Sequence, residues 1–166
     1  MRLTKDFIMD NVSFSAYLHL DRISLQNNAS SKKRVFELLG ELLAHDLGDI
    51  TATQVSEGLI ARERLGTTAL GDGVAIPHCR VDNLDKVRSA IIKLEHAVDF
   101  DAPDDQNVSF ICALMVPNEA NDEHLKALAS LAEFLSDTDH RSALDNCQTA
   151  EEILEVFASN TDQHAA

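Results

Sequence analysis

The sequence predicts an α/β protein in three layers (α/β/α), a small mixed β-sheet flanked by helices. Helical periodicity occupies the stretches before residue 66 and after residue 117, and β-type apolar runs fill the region between them. The resulting order, strand, two helices, three strands, then helices, places a sheet between helical layers.

Arg22-Ile23-Ser24-Leu25 alternates polar and apolar side chains and stops at the Asn27-Asn28 turn signal, so it reads as a first, short strand. From Ser31 the period becomes helical. Val35, Leu38, Leu39, Leu42, Leu43 and Leu47 share a face, Ser31 offers an N-cap hydroxyl and Gly48 closes the segment. A second helix starts at Thr51, where Thr51-x-x-Gln54 has the spacing of a capping box. It runs through Val55, Leu59 and Ile60 towards Leu65-Gly66, and its last turn carries Arg62, Glu63 and Arg64.

Gly66, Gly71 and Gly73 then surround a threonine pair and Asp72, ahead of Val74-Ala75-Ile76, a β-type run stopped by Pro77. A strand is therefore expected to end beside His78. Residues Val87 to Leu94 and Val108 to Val116 read as buried sheet strands, the second nearly continuous in apolar character. Beyond Pro117, Leu125, Leu128, Leu131, Ala132 and Leu135 follow helical spacing, with Asn121 as a possible cap. Ala143 and Leu144 mark a short element, and Thr149-x-x-Glu152 caps a last helix bearing Ile153, Leu154, Val156 and Phe157. Successive strands with short connections are expected to be partly antiparallel, which makes the sheet mixed.

The candidate loops, Gln26 to Ser30 and Asp99 to Asn107, are short, and neither a repeat nor a flexible linker interrupts the chain, so residues 1–166 are expected to form a single domain. With 28 acidic and 14 basic side chains the formal charge is −14, which repels nucleic acid and anionic lipid and favours basic protein partners. Apolar runs fall far short of the roughly 20 residues that cross a bilayer, so no membrane insertion is expected. The N-terminal residues lack the pattern of a secretory signal, and three cysteines without a Cys-x-x-Cys pair suit a reducing compartment. A cytoplasmic location is expected.

Phosphate-loop, dinucleotide, zincin and nucleophile-elbow motifs are all missing from the sequence. Two histidines lie in unusual places. His78 follows a strand and a proline of fixed φ, on a stiff small-residue frame; a histidine satisfied by backbone bonds at a sheet edge is the plainer alternative. His124 falls in the first turn of a helix, where free backbone N–H groups can hold an anion; a solvated polar residue is the alternative there. Together, two histidines, an arginine-bearing helix end and a threonine-rich glycine loop supply what phosphoryl transfer onto nitrogen needs. An imidazole of ordinary pKa, about 6.5, is roughly three quarters neutral at pH 7, and the step calls for no cofactor. A metal-dependent hydrolase using His78, His124 and Asp72 or Glu123 is disfavoured, because the carboxylates lack ligand-type spacing to either histidine.

The run from Arg62 to His78, Arg-Glu-Arg-Leu-Gly-Thr-Thr-Ala-Leu-Gly-Asp-Gly-Val-Ala-Ile-Pro-His, resembles the active-site signature of bacterial phosphotransferase-system enzyme IIA proteins of the fructose, mannitol and nitrogen-regulatory type. The resemblance extends through Ser31-Lys32-Lys33-Arg34, Phe100-Asp101-Ala102, Leu114-Met115-Val116-Pro117 and His124-Leu125, and so covers nearly the whole chain. Length and the lack of a fused carrier domain point to the nitrogen-regulatory branch. The resemblance implies that His78 is phosphorylated by a histidine-phosphorylated HPr-like carrier, that His124 is the second active-site histidine, and that Arg62 lies beside the phosphate. It places Thr67 and Thr68 where hydroxyls bind phosphate, and it implies a three-layer fold.

The chain departs from the pattern at Cys79, where glycine is common, at Thr67, where serine is frequent, and at Asp72, whose charge is expected near the phosphate. Partners implied are regulatory targets such as potassium-transport or stringent-response proteins, bound according to phosphorylation state. The alternative within the family is a sugar-specific IIA subunit that donates phosphate to a transporter component.

Overall fold

Alternating burial along the two longest strands builds two cores on one sheet. The computed structural model of the chain describes residues 14–119 and 122–165, which leaves Asn121, the expected helix cap, outside the described residues. Strands β5 (Arg88–Val98) and β6 (Val108–Pro117) pair antiparallel, with Ala90 opposite Ala113, Ile91 opposite Cys112 and Ile92 opposite Ile111. Because side chains alternate across a strand, Ala90, Ile92, Ile111, Ala113 and Met115 enter one core, while Ile91, Phe110, Cys112 and Leu114 enter the other.

Helices α1 (Lys32–Ala44) and α2 (Ala52–Arg64) cover the first face through Val35, Leu39, Leu43, Val55 and Leu59. Helices α3 (Asp122–Ser136), α4 (Thr138–Asn146) and α5 (Ala150–Ala165) cover the second through Leu131, Leu135, Leu144, Ile153 and Phe157. The three-layer α/β/α fold is therefore present, as the element order predicts. The caps also form as expected: Ser31 Oγ accepts from Arg34 N at 3.1 Å, Thr51 Oγ1 from Gln54 N at 3.1 Å and Thr149 Oγ1 from Glu152 N at 3.1 Å.

Among the described residues the sheet has six strands in the order β1-β5-β6-β3-β2, with β4 also on β6. Strand β1 (Ile23–Asn27) runs parallel to β5, β3 (Val74–Ala75) and β4 (His78–Val81) run parallel to β6, and β2 (Ala69–Gly71) runs antiparallel to β3. The sheet is mixed, as expected, but it has more strands than the sequence suggests.

Three boundaries differ from the sequence expectation. Strand β2 lies where a glycine-threonine loop is expected, and it returns into β3 through Asp72 and Gly73, whose φ values of 56° and 80° make the left-handed pair of a tight hairpin. The strand expected to end at Ile76 resumes at His78 in unchanged register: Val74 faces Phe110, Ala75 faces Ile111, His78 faces Leu114 and Cys79 faces Met115. Pro77 interrupts the ladder because it has no N–H, yet its carbonyl still accepts from Leu114 N at 2.9 Å. Finally, α1 stops at Ala44, short of Gly48. Asp46 is left-handed (φ 67°), and Arg88 Nη1 takes the last carbonyls, of Leu43 at 3.0 Å and His45 at 2.9 Å.

Candidate active site

The unchanged register across Pro77 decides where His78 points. Cys79 and Val81 enter the core under α1 and α2, so parity turns His78 and Arg80 to the opposite face, that of α3. Strand β4 has only β6 as a hydrogen-bonded neighbour among the described residues, which leaves its other edge open. A cleft of about 370 Å³ forms at this edge. It is lined by His78, Cys79 and Arg80 of β4, Leu114 and Val116 of β6, Gly58 and Arg62 of α2, and His124, Leu125 and Leu128 of α3. His78, His124 and Arg62, predicted from sequence, are thus brought together.

His78 Nδ1 lies 3.0 Å from the carbonyl oxygen of Ile76. A carbonyl only accepts, so this bond assigns the ring proton to Nδ1 and leaves the lone pair on Nε2. Partial burial pushes the histidine below its ordinary pKa. The Ile76 carbonyl opposes that shift, the Arg62 guanidinium adds to it, and Glu63 opposes it more weakly. The balance favours the neutral ring, the form that has a free electron pair.

Arg62 stands in the last turn of α2 and donates from Nη1 to Gly66 O at 2.8 Å, which satisfies a carbonyl just past the helix end and steadies the guanidinium at the cleft. His124 enters from the first turn of α3. A larger, more open concavity of about 740 Å³ lies between α4 and α5, but Asp137, Asp139, Glu152 and Glu155 line it, and four carboxylates repel a phosphoryl group. The histidine cleft is the better site.

Thr67 and Thr68 are not among the residues lining the cleft. The Thr68 hydroxyl serves Glu63 instead, and that of Thr67 is shared between the Phe100 carbonyl and Glu63. Thr68 Oγ1 donates to Glu63 Oε2 at 2.7 Å, and Thr68 N donates to both carboxylate oxygens at 3.1 and 2.9 Å. Thr67 Oγ1 lies 2.8 Å from Phe100 O and 3.1 Å from Glu63 Oε1, and it accepts from Ala69 N at 3.1 Å. Lys32 Nζ completes the cluster, 3.1 Å from Glu63 Oε1.

Glu63, the neighbour of Arg62, is the residue that sequence reasoning passed over. Its signal was its place one turn beyond Val55 and Leu59, on the apolar face of α2. Asp72, expected near the phosphate, does not line the cleft: its carboxylate lies 3.8 Å from Arg141 Nη2, across a small cavity shared with Ser109 and Asp145. Cys79 packs against Gly58, where an added Cβ would sit 3.5 Å from the sulfur, and burial pushes its thiol up to about 12. Among the described residues no group of three or more His, Cys, Asp or Glu side chains is arranged to hold a metal ion.

Residues 16–160 match the family described as phosphoenolpyruvate-dependent sugar phosphotransferase system, EIIA 2. The chain is 41% identical over 126 residues to a nitrogen regulatory protein of Pseudomonas aeruginosa, covering 76% of this chain and 82% of that one. It is also 30% identical over 151 residues to a fructose-specific EIIA component of Haloferax volcanii, covering 90% and 97%. Among solved structures, nitrogen regulatory protein IIA-Ntr of Neisseria meningitidis superimposes with a TM-score of 0.82 at 40% identity, covering 86% of this chain and 97% of that one. IIA mannitol of Escherichia coli shares the fold, with a TM-score of 0.70 at 24% identity, covering 84% and 98%.

Proposed function

The chain belongs to the EIIA type-2 family of the phosphoenolpyruvate-dependent sugar phosphotransferase system, and from that premise we propose that it is a phosphocarrier whose His78 accepts a phosphoryl group from a histidine-phosphorylated HPr-like protein and whose phosphorylation state governs binding to regulatory targets. The observation that carries this reading is the 3.0 Å bond from His78 Nδ1 to the Ile76 carbonyl in a cleft that also holds Arg62 and His124.

In the transfer, the Nε2 lone pair attacks phosphorus as the bond from phosphorus to the donor's imidazole nitrogen breaks, and that electron pair returns to the donor ring. The proton stays on Nδ1, donated to the Ile76 carbonyl, so the phosphorylated ring carries positive charge next to the phosphoryl oxygens. Arg62 neutralises part of the charge on those oxygens, and His124 offers a further N–H donor. Release runs the same path backwards. Thr67 and Thr68 support the site from behind, by fixing Glu63 next to Arg62 in sequence, rather than by touching phosphate.

Regulation follows from charge. A phosphoryl group adds close to two negative charges to a surface whose formal balance is already −14, which repels one partner and recruits an arginine cluster on another. The relative named nitrogen regulatory protein at 41% identity supports a regulatory output; the target class proposed, potassium-transport or stringent-response proteins, is what the family resemblance implies. The fructose-specific relative favours a second reading, a IIA subunit that passes phosphate to a sugar-transporter component. In either case the protein works in the cytosol, and among the described residues no helix is long and apolar enough to cross a membrane.

The test is incubation with phosphoenolpyruvate, the first enzyme of the system and an HPr-like carrier, followed by a count of acid-labile, base-stable phosphate. The expected label is lost in His78→Ala and retained in His124→Ala with an altered transfer rate. Label that persists in His78→Ala refutes the site. Onward transfer to a purified sugar-transporter component would select the second reading.

A further inference from the structure

We propose that Arg80 is a second cationic anchor for the phosphoryl group, acting opposite Arg62 to hold the phosphorylated state. The inference rests on the reading of His78 as phosphoacceptor, and the strand geometry around it carries the argument. His78 and Arg80 are separated by one residue on β4, so both project from the face that Cys79 and Val81 leave. Their partners across the parallel ladder are Leu114 and Val116, which line the same cleft. A single pleated wall therefore presents an imidazole, a guanidinium and two apolar side chains to α3, with Arg62 entering from α2.

Arg62 is only partly available to the phosphoryl group. A phosphoryl group on Nε2 approaches two negative charges near neutral pH, and Arg62 brings one positive charge, part of whose hydrogen-bonding capacity is spent on Gly66 O. Arg80 is exposed, lines the cleft, and forms no ion pair or hydrogen bond with a described residue. Asp82, the acidic side chain nearest to it in sequence, accepts from Asn118 Nδ2 at 2.6 Å. A guanidinium on a strand held in fixed register, with its donors uncommitted to described residues, suits a ligand that is present only part of the time. Arg80 takes part in no bond change. The bond from phosphorus to Nε2 forms and breaks as described above, and the arginine stabilises the phosphoryl oxygens while the bond exists.

The experiment measures the equilibrium between an HPr-like carrier and this protein by ³¹P NMR, in wild type, Arg80→Gln and Arg80→Lys. Loss of one charge-assisted anchor at a solvent-exposed rim is expected to lower the equilibrium constant for accepting phosphate about tenfold in Arg80→Gln, with most of the loss restored in Arg80→Lys. A second measurement needs no variant: the Nε–H resonance of Arg80 in ¹⁵N-labelled wild-type protein is expected to shift on phosphorylation. An Arg80→Gln equilibrium within twofold of wild type, or an Arg80 resonance unmoved by phosphorylation, overturns the assignment. Failure of wild-type protein to take label at all overturns the phosphocarrier reading itself, and is distinct from either of those results.

Discussion

Removal of the Glu63 carboxylate tests the support behind the cleft. Glu63 is 9% exposed and receives Thr68 N, Thr68 Oγ1 and Lys32 Nζ. In Glu63→Ala the Thr68 amide, on a residue 5% exposed, keeps no carboxylate partner, and a stranded buried donor costs about 1–3 kcal/mol. Breaking a fully buried ion pair costs about 3–5 kcal/mol. The Lys32 side chain is 24% exposed and keeps Phe100 O at 3.3 Å and Asp101 at 3.6 Å, so its share of the loss is smaller. The two effects together give about 3 kcal/mol, which for a domain of this size is a fall of about 6–12 °C in Tm. Glu63→Gln, which keeps one acceptor but turns an amide donor towards other donors, is expected to lose about 2 kcal/mol. Urea denaturation of both variants measures the loss, and a cycle with Lys32→Met should return a coupling of about 1 kcal/mol. A Glu63→Ala loss below about 1 kcal/mol would refute the claim that this carboxylate organises the segment.

Three further outcomes follow from the same geometry. Because burial is the main cause that lowers the His78 pKa, the folded protein takes up that proton less readily than the unfolded chain; its contribution to stability is present above the unfolded value of about 6.5 and is lost as pH falls through the lower folded value. Phosphoryl acceptance should accordingly be flat near neutral pH and fall only on the acid side of about 6.5, and an NMR titration of His78 with a midpoint above that value would contradict the burial argument. In Gly40→Ala the new methyl would press on the backbone carbonyl of Ala52, which cannot retreat without separating α1 from α2, so a loss of about 1–3 kcal/mol is expected in urea denaturation. Burial pushes the thiols of Cys79 and Cys112 up to about 12, and that of Cys147 is also raised. Native protein at neutral pH should therefore react slowly with Ellman's reagent and denatured protein rapidly, whereas fast native labelling of Cys79 would mean that the cleft opens beyond Gly58.

The helices were legible because each carries its own instructions. The apolar stripe of α1 and the threonines at the starts of α2 and α5 act within a few residues, and the hydrogen bonds they predict are present. Strands β2 and β4 were not, for opposite reasons. Ala69–Gly71 is too short to display a period of two, although Asp72-Gly73 after it is a hairpin signal in its own right. His78–Val81 does alternate, but Pro77 in front of it reads as a stop, and only the pairing with β6, 36 residues further along the chain, reveals that the register carries on. The cleft residues His78, His124 and Arg62 could be named from local motif and resemblance. The direction of Thr67 and Thr68 could not, since the carbonyl that takes Thr67 Oγ1 belongs to Phe100, which lies 33 residues away, and the carboxylate that takes Thr68 sits on the preceding helix.

The threonines and the histidine belong to one causal chain, which explains why a buried carboxylate matters to a nitrogen it does not touch. In a parallel strand the N–H and C=O of a given residue point to the same side. Ile76 N donates to Thr68 O at 3.0 Å, so the Ile76 carbonyl faces the same way, towards β2 and away from β6. Strand β2 begins at Ala69, and the preceding residues turn off towards α2 because Glu63 holds Thr67 and Thr68. Among the described residues no strand continues alongside to take the Ile76 oxygen, and His78 Nδ1 donates to it instead. The bond that keeps Nε2 deprotonated is thus made available by the place where the chain leaves the sheet. Loosening that departure in Glu63→Ala should raise the share of the Nε2–H tautomer, readable from the ring ¹⁵N shifts of His78. A ring that stays wholly Nδ1–H in a destabilised but folded variant would mean that the Ile76 bond is set by β4 alone.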